Sequence, residues 1–132
     1  VEQLKSRTRV LAVLDTLEFL HRGGRVGWAK AMIGTLLRIK PIIEVRQGQV
    51  ALVERARTRR RSLERLVGQI RALGLLERAI VLHTNAPDEA RWLSSQLETL
   101  LEGWQPLETQ AGVTIASHVG PGAVGIACIT RE

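Results

Sequence analysis

The sequence predicts a mixed α/β fold, in which a sheet of about five to six strands contains one β-hairpin and is packed by helices. Short apolar runs, which are typical of buried strands, alternate with longer segments whose apolar residues recur at helical spacing. One pair of strand-like runs is separated by only two residues, which is typical of a hairpin. Because a hairpin requires antiparallel strands and strand–helix alternation favours parallel ones, we expect both directions in one sheet.

The first part of the chain predicts one strand and two helices. Residues 10–14 are a continuous apolar run, and Asp15 or Thr16 can cap the helix that follows it. The glycine pair at residues 23–24 ends that helix. A second helix is predicted over residues 28–37, and it ends before the next proline because proline disfavours helical backbone in the preceding residue.

The middle of the chain predicts the hairpin and a long helix. Residues 42–46 and 49–53 are rich in β-branched side chains, and Gly48 supplies the turn between them. An arginine run leads into an amphipathic helix that Gly74 closes. The apolar face of this helix consists of Leu63, Leu66, Val67, Ile70 and Leu73.

The last part predicts strands at residues 79–83 and 123–130, with an edge strand at residues 106–110, where a proline is tolerated. A helix starts at residues 85–88, which place a proline at its first turn. Its apolar residues at helical spacing are Ala90, Leu93, Leu97, Leu100 and Leu101. Residues 120–122 form a turn before the final strand.

The composition predicts a single domain over residues 1–132. Hydrophobic residues make up 45% of the chain and its mean hydropathy is +0.02, both typical of globular proteins. The apolar runs are shorter than the roughly 20 residues that a membrane-spanning helix needs. The single Cys128 indicates a reducing, cytoplasmic setting. Because the chain starts at Val1 in a segment typical of mid-protein sequence, we expect a portion of a longer protein.

The net charge of +6 admits two interpretations. Much of the excess lies in the arginine run of residues 55–61, which is consistent with a solvated start of a helix. It is equally consistent with an anionic ligand, an acidic partner or a nucleic acid. Aromatic residues are only 3% of the chain, which leaves few side chains for base stacking.

Two glycine-containing motifs lie near the two ends of the chain. Residues 17–26 place Arg25 after a glycine pair, and residues 118–123 place His118 before a Gly-Pro-Gly turn. Glycine lets the backbone turn sharply and approach a ligand, while an arginine fork or an imidazole can bind an anion. The alternatives are a surface arginine at a helix C-terminus and a structural histidine that holds its loop.

Three other kinds of site are disfavoured. Residues 120–125 match the dinucleotide-binding glycine pattern, but the following segment is strand-like and the chain ends before the acidic residue that such a site needs. His21, His83 and His118 lack metal-ligand spacing, so we expect no metal site. Ser117 precedes His118 directly, and adjacent residues seldom face each other, so hydrolase chemistry is not indicated.

The order and spacing of several motifs resemble the C-terminal lobe of the DegV family of fatty-acid-binding proteins. The matching stretches are residues 17–26, 36–42, Gly48, 57–61 and 118–123, and together they span nearly the whole chain. The resemblance implies two α/β lobes with a fatty acid between or beneath them. It also implies that the N-terminal lobe is absent from this chain.

The resemblance further implies a carrier that is not itself an enzyme and needs no cofactor. It would bind a long-chain fatty acid and present the carboxylate to an ATP-dependent fatty acid kinase, which makes acyl phosphate. The implied carboxylate neighbourhood is His118, Gly120, Gly122 and Arg25. The implied acyl-tunnel residues are Trp28, Ala31, Met32, Thr35 and Leu36. The implied kinase-docking residues are Arg25, Arg57 and Arg59.

The alternative function is a basic nucleic-acid-binding or regulatory module, which the charge of +6 motivates. We prefer the fatty acid carrier and expect no nucleic acid partner, because arginines at a helix start need no nucleic acid to explain them. The isolated lobe is also expected to self-associate, since removing a partner lobe exposes apolar surface.

Overall fold

The structure is a computed structural model that describes residues 6–22, 39–102 and 105–131. The strands of this part of the chain are β1 (Thr8–Val13), β2 (Lys40–Arg46), β3 (Gln49–Ala56), β4 (Leu76–His83), β5 (Leu107–Gln110) and β6 (Val124–Thr130). The helices are α1 (Glu18–Arg22), α2 (Arg59–Arg71), α3 (Pro87–Leu97) and α4 (Val113–Val119), with a short 3-10 turn at Glu98–Leu100.

The six strands form one sheet in the order β3-β2-β1-β6-β4-β5. Strands β4 and β5 are parallel, and the other neighbouring pairs are antiparallel. The predicted mixed sheet is therefore confirmed. The edge strand expected at residues 106–110 is confirmed as β5, at one margin of the sheet.

The predicted hairpin is also confirmed, as the pair β2 and β3. Its two-residue turn consists of Gln47 and Gly48, whose φ angles are 53° and 77°. Two successive residues with positive φ are typical of a type I′ turn, which matches the twist of antiparallel strands.

Helices α2 and α3 cover one side of the sheet, which we call the inner face. The main hydrophobic core lies between them and this face. Side chains of β1, β4 and β6 that contribute to it are Leu11, Val81 and Ile126, each at most 2% exposed. The helices contribute Leu66, Ile70, Leu93 and Leu97. The apolar periodicity of both helices thus predicted the correct buried faces.

The interpretation of the arginine run as the start of a helix is confirmed at α2. Residues 59–61 form its first turn, and Oγ1 of the N-cap Thr58 accepts a hydrogen bond from the Arg61 amide at 3.2 Å. Three cations at the positive end of a helix dipole are unfavourable. Carboxylates partly offset this, because Glu89 pairs with Arg59 and Glu64 pairs with Arg60.

The opposite side of the sheet, which we call the outer face, carries a second and smaller apolar cluster. Its members are Leu14, Leu17, Leu20, Ile43 and Ala123. Helix α1 contributes to it and starts as predicted, since the Thr16 hydroxyl accepts a hydrogen bond from the Glu18 amide at 3.2 Å. The helix predicted over residues 28–37 lies outside the described residues.

Residues 113–119 form α4, a helix that the sequence pattern did not predict. Glycines flank it on both sides, and Gly120 has a φ of 80° and a ψ of 175°. None of its side chains is fully buried. Among the described helices, none is long and apolar enough to cross a lipid bilayer.

Candidate functional site

The outer face of the sheet contains an apolar cavity of about 300 Å³. Four strands supply its walls, because residues opposite each other in antiparallel strands point to the same face. Val10 and Ala12 of β1 pair with Val45 and Ile43 of β2, and Ala12 also pairs with Gly125 of β6. The lining of this cavity is almost entirely aliphatic.

Small residues keep the floor of the cavity open. A Cβ atom added to Gly125 would lie 2.6 Å from the carbonyl oxygen of Leu11 and 2.7 Å from the Cβ atom of Ala12. Any larger residue at position 125 would therefore collide with the neighbouring strand. The pair of Ala12 and Gly125 leaves space on a sheet face that otherwise carries Val, Ile and Leu.

Helix α4 lies at the cavity and carries His118. Its residues Ile115 and Val119, which are four positions apart, line the cavity. His118 lies three positions after Ile115, so it occupies the neighbouring part of the same helix surface. The predicted carboxylate-binding histidine thus lies in a helix, not in the turn that follows, and it is a neighbour of two cavity-lining residues without lining the cavity itself.

The hydrogen bond of His118 fixes its tautomer. Its Nδ1 lies 2.7 Å from the carbonyl oxygen of Thr114. Because a carbonyl oxygen only accepts, Nδ1 must carry the hydrogen, and Nε2 is the ring nitrogen left for a ligand. Ser117 donates to the same carbonyl at 2.8 Å, and its Oγ also lies 3.5 Å from Nδ1 of His118. Because Nδ1 carries the hydrogen, it cannot act as a base towards this hydroxyl.

The turn after α4 contains two more of the predicted carboxylate-site residues. Gly120 and Gly122 have φ angles of 80° and 83°, which favour glycine. The buried Thr84, at the end of β4, bonds to this turn through both its backbone and its hydroxyl. Sequence reasoning missed Thr84, since nothing in the pattern links it to residues 36 positions or more away.

Arg59, predicted to dock a partner, is bound within the molecule. Its Nε and Nη2 donate to the two carboxylate oxygens of Glu89 at 2.8 and 2.7 Å, and Nη2 also donates to the carbonyl oxygen of Gly122. A bidentate pair of this kind is geometrically specific. Arg59 therefore joins α2 and α3 to the glycine turn, and little of its donor set remains for a partner.

Arg57, the other described docking residue, lines a basic groove of about 620 Å³. The arginines of this groove are Arg55, Arg57, Arg61 and Arg65. No described carboxylate forms an ion pair with Arg55, Arg57 or Arg61. The fourth arginine, Arg65, places its Nε 3.9 Å from Oε1 of Glu54. The described carboxylates therefore neutralise the positive charge of the groove only in part.

Six predicted site residues lie outside the described residues: Arg25, Trp28, Ala31, Met32, Thr35 and Leu36. The nearest described residue before Arg25 is Arg22, the last residue of α1. Phe19 of that helix lies against Gly120, so α1 and the glycine turn are in direct contact.

Other chemistry-bearing groups lie elsewhere. Cys128 is buried in the core of the inner face, where burial raises the pKa of its thiol to about 11. It is therefore a neutral thiol at neutral pH and a poor nucleophile. In the part of the chain that the structure describes, no cluster of three or more His, Cys, Asp or Glu side chains is arranged to hold a metal ion.

Comparison with known sequences identifies one family. The family model described as Uncharacterised protein, DegV family, matches residues 1–131. A DegV domain-containing protein from Clostridium acetobutylicum is 36% identical over 135 residues, covering 99% of this chain and 47% of that protein. Protein DegV from Bacillus subtilis is 33% identical over 129 residues, covering 96% of this chain and 46% of that protein.

Comparison with solved structures identifies the same family as the sequence comparison. A fatty acid binding DegV family protein from Streptococcus agalactiae matches with a TM-score of 0.84 and 28% identity, covering 99% of this chain and 47% of that chain. A DegV family protein from Thermus thermophilus, described for its fatty acid binding, matches with a TM-score of 0.83 and 34% identity. The match covers 98% of this chain and 48% of that chain. The chain spans about half the length of the curated relatives it matches. With residues 1–131 matched by the family model, the chain belongs to the DegV family.

Proposed function

We propose that this chain forms the acyl-chain side of a fatty acid site and that the protein containing it is a fatty acid carrier. The observation that carries the proposal is the aliphatic cavity between the outer face of the sheet and α4. The DegV relatives from Streptococcus agalactiae and Thermus thermophilus, which are described as fatty acid binding, support it.

The chemistry of the cavity favours a long hydrocarbon chain over a polar ligand. Each buried CH₂ group contributes about 0.8 kcal/mol, so a long acyl chain gains affinity from an apolar wall alone. A sugar or a nucleotide would lose its hydration in this cavity without gaining hydrogen bonds. The cavity therefore selects for a lipid tail, and a few polar groups at its end orient the head.

His118, with Gly120 and Gly122, is the proposed neighbourhood of the carboxyl group. Since Nδ1 of His118 is bonded to the Thr114 carbonyl, Nε2 is the nitrogen that meets the ligand. Nε2 accepts a hydrogen bond from a protonated carboxylic acid, and once protonated it donates to a carboxylate. Arg25, outside the described residues, is the proposed second cation of this neighbourhood.

The proposed partner is an ATP-dependent fatty acid kinase, to which the carrier presents the carboxyl group. The basic groove around Arg57 is a suitable docking surface for an acidic face of such a partner, because Arg55, Arg57 and Arg61 form no ion pair with a described carboxylate. Arg59 supports this surface from within through Glu89. A partner that uses ATP places the carrier in the cytoplasm.

The groove favours a protein partner over a nucleic acid. The described side chains that line it include no aromatic ring on which a base could stack. The positive charge is consistent with the nucleic-acid alternative. The groove does not offer, among its described residues, the aromatic rings that proteins binding RNA or single strands use to stack bases.

The test starts with the intact protein that contains this sequence, purified from cells and extracted under denaturing conditions. Mass spectrometry of the extract is expected to find long-chain fatty acid at about one molecule per protein. An extract without fatty acid would overturn the proposal.

A second experiment addresses His118. The variant His118→Ala is expected to lower acyl phosphate formation with the kinase at limiting carrier. Ser117→Ala is the matched control, because it also removes a hydrogen bond to the Thr114 carbonyl but leaves the imidazole in place. Equal turnover by wild type and His118→Ala would remove His118 from the site.

A further inference from the structure

We infer that Thr84 is the positioning residue of this fatty acid site, an inference that rests on the function proposed above. Thr84 makes four hydrogen bonds to the turn after α4. Its amide donates to the Ala123 carbonyl at 2.9 Å, and its carbonyl accepts from the Gly122 amide at 2.7 Å. Its hydroxyl donates to the Gly120 carbonyl at 2.6 Å and accepts from the Ala123 amide at 2.8 Å.

The hydroxyl bonds set Thr84 apart from an ordinary strand residue. The bond from the Thr84 amide to the Ala123 carbonyl extends the pairing of β4 with β6, in which His83 lies opposite Val124. The hydroxyl reaches beyond this ladder to Gly120, the residue that ends α4. Thr84 is 5% exposed, so water does not replace these bonds when they are lost.

Only a side chain that donates and accepts at the same oxygen fits this position. The Gly120 carbonyl needs a donor and the Ala123 amide needs an acceptor, and one hydroxyl satisfies both. Valine has nearly the same shape as threonine but supplies neither group. Serine supplies both and lacks only the methyl group.

The position of α4 depends on contacts near its two ends, because none of its side chains is fully buried. Just before the helix, the Ala111 amide donates to the His83 carbonyl at 2.7 Å, and Val119 packs against the smaller apolar cluster. The other end is held by Thr84 and by Phe19, which lies against Gly120. His118 lies two residues before that anchored end, so loss of the Thr84 hydroxyl is expected to displace the imidazole.

The first test measures amide hydrogen exchange in the ligand-free intact protein. In Thr84→Val, the Ala123 amide is expected to exchange at least about tenfold faster than in wild type, since it loses its buried acceptor. Thr84→Ser is expected to keep the wild-type rate. Ser94→Ala is the matched control, because it also removes a buried hydroxyl, one without a partner among the described residues. An unchanged Ala123 rate in Thr84→Val would overturn the inference.

The second test measures the affinity for stearic acid in two backgrounds. Thr84→Val is expected to raise the Kd at least about fivefold in the wild-type background and less than about twofold when His118 is already alanine. An equal loss in both backgrounds would show a merely structural role and overturn the inference. If Thr84→Val does not fold, Thr84→Ala is compared with Thr84→Ser, because these two variants differ only by the hydroxyl group.

The two tests separate this inference from the proposed function. A wild-type protein that binds no stearic acid contradicts the proposed fatty acid site, whatever the exchange rates are. An Ala123 exchange rate that is the same in Thr84→Val and wild type contradicts the positioning role, even if the protein binds stearic acid well.

Discussion

The aromatic ring of Phe19 occupies the space where a Cβ atom of residue 120 would lie. This contact joins α1, which lies within the motif of residues 17–26, to the turn that follows His118. It also explains why position 120 requires glycine, beyond its positive φ of 80°. The two glycine motifs seen in the sequence are thereby connected through described residues.

The variant Gly120→Ala is expected to lower the free energy of unfolding by at least about 2 kcal/mol, because it adds a steric overlap to a backbone conformation that is nearly restricted to glycine. Urea denaturation followed by circular dichroism measures the change. Gly74→Ala is the matched control, since Gly74 has a φ of 82° and nothing within 4 Å of the added Cβ atom. It is expected to cost only about 1 kcal/mol.

The role of Phe19 is tested in the same series. Adding Phe19→Ala to Gly120→Ala is expected to remove the overlap, so the double variant loses less stability than the sum of the two single changes. A double variant whose loss of stability equals the sum of the two single losses would show that Phe19 does not contact residue 120.

The variant Arg61→Glu is expected to stabilise α2 by about 0.5–1 kcal/mol, because it replaces a cation in the first turn by a carboxylate that can complete a capping box with Thr58. Arg60→Glu is the matched control and should gain less, since its carboxylate would lie one turn from Glu64. The measurement is the midpoint of thermal unfolding. A lower midpoint for Arg61→Glu than for wild type would contradict this account of the helix start.

The same variant separates docking from ligand binding. Arg61 lines the basic groove but not the apolar cavity. Arg61→Glu is therefore expected to keep the affinity for stearic acid and to weaken acyl phosphate formation with the kinase. Loss of stearic acid binding would show that groove and cavity are not independent.

Local patterns in the sequence predicted most of the sheet. The Gln47–Gly48 pair specified the hairpin because few residues accept two successive positive φ angles. The apolar periodicity of α2 and α3 predicted their buried faces, since a long helix repeats its signal over several turns. These features depend on residues close together in the chain.

The parts that were missed depend on distant contacts or on short elements. Helix α4 has seven residues, several of them β-branched and none fully buried, so it has no amphipathic pattern to detect. The bonds of Thr84 to Gly120 and of Arg59 to Glu89 join residues that are 36 and 30 positions apart. Such pairings are set by the strand order, which the sequence pattern did not specify.

Self-association of the isolated chain is expected to depend on the margin of the sheet at β5. All four residues of this edge strand are exposed, and Leu107 lies opposite Ile80 of β4, with exposures of 71% and 40%. An exposed apolar edge promotes pairing between copies. Light scattering is expected to show oligomers for the wild-type chain and a shift towards monomer for Leu107→Lys.

The control for this prediction is Leu75→Lys, which places the same charge at another exposed leucine, outside the strands. It should leave the oligomers unchanged. A monomeric wild-type chain, or equal dissociation by both variants, would show that the β5 edge does not drive association.

The central claim is that the cavity on the outer face holds the acyl chain, and cavity filling tests it most directly. In Ala12→Leu the added side chain enters the cavity beside Gly125. Ala51→Leu makes the same change at an exposed position of β3, away from the cavity. The measurement is the amount of stearic acid bound per molecule of the intact protein. We expect about one molecule in wild type and Ala51→Leu, and almost none in a folded Ala12→Leu. Full occupancy in Ala12→Leu would contradict the claim.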